Sequence, residues 1–317
     1  MNIKNICLSN AEKIYGSPLP TVVRERLDFE LSSIEYCHAE QYYTVAAALV
    51  ERSEKKGFPV FTRRGIASSF VAFLLGITEI NPLEENIPVE FFMGYDGDKM
   101  PNIQLCFSNE YQKSAVIHLQ EIFGKDRVIW VNEKDLDNLN HLYICKYFVL
   151  PKSLRGKQFC EIDSDQCHTL FSIDLLGHDI PTILRKLHKA TGIAPESIPI
   201  NTKKVYKFMK KDNVICREEL FDILCSNGIE KKQAYKITEF VRNCRFYNGY
   251  EKHIQQSMEI EDTLRQYNIS EKLISHLKNS RYFPSKADLL SYTLQEYRMN
   301  WYKEHYPKEF EKASKVP

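Results

Sequence analysis

The chain has 317 residues, of which 43% are hydrophobic and 12% aromatic, enough for one large domain or two ordinary ones. Lys and Arg together number 43 and Asp and Glu 42, so the formal net charge is +1. A basic surface over the whole chain is therefore excluded, and any surface for nucleic acid must be local. With 12 Gly, 13 Pro and no low-complexity run, the composition also argues against disorder.

The N-terminus lacks the apolar stretch and cleavage site of a signal peptide. The longest apolar run, near Phe70–Ile77, is far shorter than the roughly 20 residues that span a bilayer. Nine cysteines are scattered along the chain and none forms a CxxC pair. We therefore expect a cytoplasmic protein with reduced thiols and no membrane partner.

The first half of the chain mixes helical and strand patterns. Val23, Leu27, Leu31 and Ile34 recur at helical spacing, and the alanine-rich stretch Tyr43–Leu49 is also typical of a helix. The elements predicted after these are, in chain order, a strand at Phe58–Thr62, a helix at Ala67–Ile77, strands at Glu90–Met93 and Ile103–Phe107, a helix from Ser108 to about Ile122, and strands at Val128–Val131, Leu142–Leu150 and Thr169–Leu175. The mixture predicts an α+β fold for residues 1–182.

From Pro181 onward the pattern is helical almost throughout. Arg217–Cys225 and Lys231–Cys244, separated by Asn227-Gly228, predict a helix–turn–helix unit. Apolar residues along one face predict a long final helix, and these are Leu290, Leu294, Tyr297 and Trp301. The second half, residues 183–317, is therefore predicted to be all-helical.

One segment of the first half is typical of a phosphate site. After the predicted strand at Phe58–Thr62, Arg63, Arg64 and Gly65 form a turn, and the following helix begins near Ser68 and Ser69. A helix N-terminus presents free N–H groups and the positive end of its dipole, which suits an anion. The alternative left open by spacing alone is an ordinary strand–turn–helix with solvated arginines and a serine cap.

Residues 64–72, Arg-Gly-Ile-Ala-Ser-Ser-Phe-Val-Ala, resemble the Arg-Gly-Ser-Val-Gly-Ser-Ser-Phe-Val-Ala block of the PolC-type DNA polymerases of bacterial family C. Further similar blocks follow in family order at residues 15–27, 92–101, 107–111, 173–182 and 283–307. The resemblance implies a nucleotidyltransferase-like polymerase palm followed by helical fingers. It also implies a site for the nucleotide triphosphate, formed by Arg63, Arg64, Gly65, Ser68, Ser69 and Lys286.

The metal site of that family is altered here. In the family, a strand reading Pro-Asp-Ile-Asp-Leu-Asn-Phe-Ser supplies two of three aspartates that hold two Mg²⁺ ions. Residues 101–108 read Pro-Asn-Ile-Gln-Leu-Cys-Phe-Ser, so both carboxylates are amides, Asn102 and Gln104, and only Asp174 is kept. Because Mg²⁺ binds hard anionic oxygens, we expect no resident cofactor, with at most weak Mg²⁺ binding at Asp174, and no intact catalytic residue.

Other parts of the family pattern are missing or changed. The zinc insertion expected after Leu83 is absent, and barely a dozen residues remain for the thumb between Trp130 and Tyr143. The fingers histidine of the family is replaced by Asp288, whose charge would repel a triphosphate. We therefore expect no stoichiometric zinc.

A local excess of positive charge lies in the predicted fingers. Five lysines lie within nine residues, with Tyr206 and Phe208 interleaved, and they are Lys203, Lys204, Lys207, Lys210 and Lys211. This cluster predicts weak, non-specific contact with nucleic-acid phosphates, and a solvated helical face is the alternative.

The leading prediction is a catalytically inactive PolC-like palm and fingers protein that binds nucleic acid or a protein partner, for which a mobile or defence element is one compatible setting. Residual nucleotidyltransferase or polymerase activity, using Asp174 with a substitute ligand such as Asp98, is a second reading. A polymerase mimic that captures protein partners without DNA binding is a third.

Overall fold

The structure is a computed structural model, and it describes residues 2–133, 143–163, 170–201, 205–207, 215–246, 253–280 and 283–315. No helix within these ranges is both long and apolar enough to cross a membrane. The statements below concern these ranges.

Helices predominate, and a single mixed sheet lies among them. The helices are α1 (Ile3–Tyr15), α2 (Thr21–Tyr36), α3 (Glu40–Lys55), α4 (Phe70–Leu74), α5 (Glu90–Met93), α6 (Asn109–Phe123), α7 (Asp179–Thr191), α8 (Arg217–Ser226), α9 (Lys231–Arg242), α10 (Ile254–Gln266), α11 (Glu271–Asn279), α12 (Lys286–His305) and α13 (Pro307–Ser314). The strands are β1 (Phe61–Arg63), β2 (Gln104–Ser108), β3 (Val128–Glu133), β4 (Tyr143–Val149) and β5 (Phe171–His178). The predicted α+β class is confirmed.

The strand order of the sheet is β1-β2-β5-β4-β3. Strands β2 and β5 run parallel, and the other neighbouring pairs are antiparallel. The β2–β5 register sets Gln104 opposite Asp174 and Ser108 opposite His178. Two positions 70 residues apart in sequence thus become neighbours at the start of β2.

Both faces of the two central strands are covered. Leu105 and Leu175 belong to a core formed with α1, α2, α3 and α6, whereas Cys106 and Leu176 belong to a core formed with α7 and α12. This division follows from the alternation of side chains along a strand. A third core joins α8, α9, α10 and α11 around residues such as Leu220. The central strands are therefore held rigidly from both sides.

Two predicted elements differ from the structure. The strand predicted at Glu90–Met93 is wrong, because this segment is the one-turn helix α5, closed by a bond from the Gly94 N–H to the Glu90 carbonyl. Its apolar side chains point into two cores, since Phe91 packs in the third and Met93 in the first. The helix predicted at Ala67–Ile77 is interrupted at Ser69, whose extended backbone separates a 3₁₀ turn from the short α4.

The predicted boundary between residues 182 and 183 falls inside α7. Leu184 and Leu187 of this helix pack in the same core as Cys106 and Leu176 of the sheet. The division into 1–182 and 183–317 remains a prediction, and its boundary is bridged by a continuous helix.

Candidate functional site

The centre of the candidate site is a hydrogen bond between two strands. Gln104 begins β2, and its Nε2 donates to Asp174 Oδ2 over 2.7 Å. Each of the two residues is only 5% exposed. Asn102 lies two residues before Gln104, is exposed, and precedes the strand. The three positions that the resemblance assigns to metal are therefore close in the fold, but the buried carboxylate already accepts a hydrogen bond from an amide.

These residues do not fit a pair of Mg²⁺ ions. Such a site needs several anionic oxygens to offset four positive charges, and here one of the three positions is a carboxylate. The Gln104 amide also turns an N–H group, not its oxygen, toward Asp174. Across the described ranges, no group of three His, Cys, Asp or Glu side chains is arranged to hold a metal ion. Asp98, the suggested substitute, is exposed in a surface turn.

The loop after β1 carries the predicted phosphate contacts. Arg64 and Gly65 both have positive φ angles, 59° and 88°, which sharply reverse the chain after Arg63. The Arg64 N–H donates to Asp288 Oδ1 over 2.8 Å, and Asp288 lies in the first turn of α12. A carboxylate of the chain itself is thus bound to this loop.

The start of α4 is bound to another internal carboxylate. Glu30 is fully buried and accepts hydrogen bonds from the Ser69 hydroxyl over 2.7 Å and from the Phe70 and Val71 N–H groups over 2.8 and 3.0 Å. Arg26 balances its charge, with Nε 2.6 Å from the carboxylate. The Ser69 hydroxyl and the first two N–H groups of this five-residue helix therefore contact Glu30 and do not face an open site.

Ser68 differs from its neighbour. It is fully buried, and its Oγ has no hydrogen-bond partner within the described ranges, although its carbonyl accepts from Arg26 over 2.6 Å. A buried hydroxyl without a partner is costly. Among the buried side chains of the predicted phosphate loop within the described ranges, Ser68 is therefore the one with an unused donor.

Lys286 is held by Glu85. Its Nζ donates to the Glu85 carbonyl and lies 4.0 Å from the Glu85 carboxylate. The Tyr206 hydroxyl donates to the same carboxylate, and burial together with Glu85 raises the pKa of Tyr206. The backbone N–H of Lys286 donates to Glu218 over 2.7 Å. The ammonium predicted to contact phosphate thus has an internal anion.

The predicted nucleic-acid cluster is described only at Lys207, which is exposed. Lys203, Lys204, Lys210 and Lys211 lie outside the described residues. The roles predicted for the phosphate loop and for this cluster remain predictions.

Sequence reasoning missed the internal carboxylates Glu30, Glu85 and Glu218. For Glu30 a signal exists, because it lies between Leu27 and Ile34 on the buried face of α2. A carboxylate on a buried helical face requires a partner. No comparable local signal marks the other two.

Comparison with known proteins supports the resemblance. Residues 1–134 match the family described as the bacterial DNA polymerase III alpha NTPase domain. The PolC-type DNA polymerase III of Caldanaerobacter subterraneus subsp. tengcongensis is 25% identical over 97% of this chain and 33% of its own length. The PolC-type DNA polymerase III of Thermotoga maritima is 24% identical over 97% of this chain and 34% of its own length. That of Pediococcus pentosaceus is 28% identical over 68% of this chain and 22% of its own length.

The chain is therefore related to PolC-type DNA polymerase III, and the predicted resemblance is confirmed. Almost the whole of this chain aligns with the Caldanaerobacter and Thermotoga proteins, but it spans only about a third of their length. The alignment with the Caldanaerobacter protein covers 474 positions, more than the chain contains, so that relative carries internal segments that this chain lacks.

Proposed function

We propose that the chain is a catalytically inactive PolC-like palm and fingers protein that acts as a binding module for nucleic acid or for a protein partner. The observation that carries the proposal is the buried hydrogen bond from Gln104 to Asp174. In the relatives' pattern these positions are carboxylates that hold metal. In this chain the strand pair formed by β2 and β5 carries less negative charge at these positions. The carboxylate that remains, Asp174, accepts a hydrogen bond from a neutral donor.

Electrostatics supports the loss of catalysis. Phosphoryl transfer depends on cations that neutralise the developing charge, and removing one such stabilising group costs about 3–4 kcal/mol of barrier. Asn102 and Gln104 together remove two anionic metal ligands. The combined loss places template-directed synthesis far below the rate of a functional polymerase.

The surroundings of the phosphate loop support the same proposal. Asp288 binds the Arg64 N–H, Glu30 binds the start of α4, and Glu85 binds Lys286. The first two contacts pair a donor that could bind phosphate with a carboxylate, and the Lys286 ammonium donates to the Glu85 backbone carbonyl with the Glu85 carboxylate 4.0 Å away. A triphosphate entering here would meet negative charge and would have to displace these contacts.

A second candidate, nucleotide binding without turnover, is favoured by one observation. The Ser68 hydroxyl is buried beside the Arg64-Gly65 turn and has no partner within the described ranges. A phosphate oxygen would supply the missing acceptor. Ser68→Ala should then weaken dNTP binding without weakening folding, which equilibrium dialysis and thermal unfolding together would measure.

Titration calorimetry with Mg²⁺ and Mn²⁺ tests the leading proposal. The parent should show no saturable binding in the low millimolar range, whereas Asn102→Asp/Gln104→Asp should bind because it restores two anionic ligands beside Asp174. Gln255→Asp/Gln266→Asp adds the same two charges to exposed positions of α10 and should behave as the parent does. Tight binding by the parent that Asp174→Ala abolishes would contradict the proposal.

A further inference from the structure

A cavity of about 460 Å³ lies between α12 and the segment at Pro199–Asn201, away from the loop and strands described above. Its helical wall is formed by one face of α12, with residues at spacings of three and four: Tyr297, Asn300, Trp301, Glu304 and His305. The volume is within the range of small-ligand sites.

The wall facing the helix is fixed in place. The Tyr297 hydroxyl donates to the Pro199 carbonyl over 3.0 Å and accepts from the Asn201 N–H over 3.3 Å. Tyr297 itself is 7% exposed. Because these bonds tie the segment to the helix, the cavity is formed in advance, and a ligand would not have to order it.

The aromatic part of the cavity is also rigid. The rings of Trp301 and His305 stack with centroids 4.1 Å apart and an interplanar angle of 15°. His305 Nδ1 lies 2.8 Å from the Trp301 carbonyl oxygen, which can only accept, so Nδ1 carries the hydrogen. The bond holds the imidazole parallel to the indole, whose ring centroid also lies 5.5 Å from that of Tyr302 and 6.0 Å from that of Tyr306. The indole still lines the cavity.

The charge of the residues that line the cavity indicates which kind of ligand it would bind. Glu304 is exposed and has no ion-pair partner within the described ranges, and the residues that line the cavity there include no lysine or arginine. The side chains of Asn201 and Asn300 add carboxamide groups at the same site. A carboxylate beside an indole and carboxamide oxygens favours a planar cation with several N–H donors.

We propose that this cavity binds the guanidinium of an arginine side chain presented by a protein partner. A guanidinium stacks on an indole face while its N–H groups donate to a carboxylate in a bidentate fork. An ammonium is a point charge that does not stack, and the phosphates of a nucleotide would be repelled by Glu304. The site lies outside the strand pair of the proposed function, so it stands whether or not that proposal holds.

Tryptophan fluorescence gives a direct test, because the chain contains two tryptophans, Trp130 and Trp301. In a Trp130→Phe variant, the emission reports the cavity alone. Titration with the blocked tripeptide acetyl-Gly-Arg-Gly-amide should change it saturably, with Kd of about 1–10 mM, as expected for one side chain. The citrulline peptide, which is neutral but has nearly the same shape, should cause no saturable change, and the lysine peptide should bind several-fold more weakly.

The carboxylate is tested separately. Glu304→Gln should lower the affinity for the arginine peptide at least fivefold at low salt. Glu311→Gln, the same change at an exposed position of α13, should leave that affinity unchanged. Calorimetry on the chain with both tryptophans repeats the comparison and does not depend on the folding of the Trp130 variant. Equal binding of arginine and citrulline peptides, an unchanged affinity in Glu304→Gln, or no binding up to 50 mM would each overturn the proposal.

Discussion

At the scale of single residues, the positions predicted to contact metal or phosphate are hydrogen-bonded to other side chains of the chain. Gln104 donates to Asp174, a pair for which the resemblance implies metal ligands, and Asp288 accepts from the Arg64 N–H in the predicted phosphate loop. Hydrogen bonds to charged groups are stronger than neutral ones, and removal of the Gln104 donor would take one of these from the buried Asp174 carboxylate. These contacts therefore stabilise the packed strands and helices.

The Gln104–Asp174 bond has a measurable effect on stability. Gln104→Leu keeps the side-chain volume but removes the donor, so a carboxylate that is 5% exposed loses one hydrogen bond. We expect the free energy of unfolding to fall by about 1.5–3 kcal/mol in urea titrations. Gln120→Leu on α6, at a position whose side chain makes no hydrogen bond within the described ranges, should change it by less than about 0.5 kcal/mol. Equal effects of the two substitutions would show that the bond contributes nothing.

The substitutions at Asn102 and Gln104 could be predicted from the sequence, because a strand motif aligns residue by residue with the family. The partners of those residues could not. The Gln104–Asp174 bond joins positions 70 residues apart, and the Arg64–Asp288 bond joins positions 224 apart. No local pattern encodes such pairs, since they exist only after the strands and helices have packed.

At the scale of elements, local patterns predicted the long segments well and the short ones poorly. The apolar spacing in α2 and α12 extends over several turns, and both helices form where they were predicted. The run Phe91-Phe92-Met93 is apolar at every position, so its period cannot distinguish a strand from a helical turn. Packing between two cores decides the outcome for α5.

The turn that follows α5 is crowded against α2. Gly97 has φ of 74°, and a Cβ there would meet the Ser33 hydroxyl and lie 3.1 Å from Phe29 Cζ. Gly76 has a similar φ of 70° but open space around it. We expect Gly76→Ala to lower the free energy of unfolding by about 1–2 kcal/mol from backbone strain, and Gly97→Ala by a further 1–3 kcal/mol from the clash. Thermal and urea unfolding would measure both, and a Gly97 effect no larger than that of Gly76 would contradict the described contact.

At the scale of the whole molecule, buried acidic groups predict instability in alkali. Burial, with a contribution from Glu30, raises the pKa of the Cys7 thiol to about 12, and burial with Glu218 raises that of Cys216 to about 12. An unfolded thiol titrates near 9, so above this pH the unfolded state binds fewer protons than the folded state. The stability conferred by each thiol is full below pH 9 and is lost as pH rises toward 12.

Urea titrations between pH 8 and pH 10.5 should therefore show a falling free energy of unfolding, by up to about 1.4 kcal/mol per pH unit for each such group. Cys7→Ala should reduce this slope, whereas Cys160→Ala, at an exposed position, should not. A profile that is flat over this range, or equally steep in the two variants, would contradict the assignment to buried thiols.

Binding of nucleic acid also depends on the charge of the whole molecule. Because the net charge is only +1, a binding surface would have to be a local cluster of positive charge. If Lys203, Lys204, Lys207, Lys210 and Lys211 contact three or four phosphates, log affinity should fall with log salt with a slope of about −3 on duplex DNA. Fluorescence anisotropy measures this slope, and Lys203→Glu/Lys207→Glu/Lys211→Glu should nearly abolish binding. Binding by the triple variant that equals the parent's would instead favour a partner-capturing protein without DNA contact.

The central claim is that the altered strand pair no longer supports phosphoryl transfer. A primer-extension assay with Mg²⁺, a primed template and all four dNTPs tests it most directly, because each incorporated nucleotide lengthens a labelled primer. We predict no extension by the parent, and at most poor extension by Asn102→Asp/Gln104→Asp, since internal segments of the relatives have no counterpart in this chain. Extension by the parent that Asp174→Ala abolishes would contradict the account.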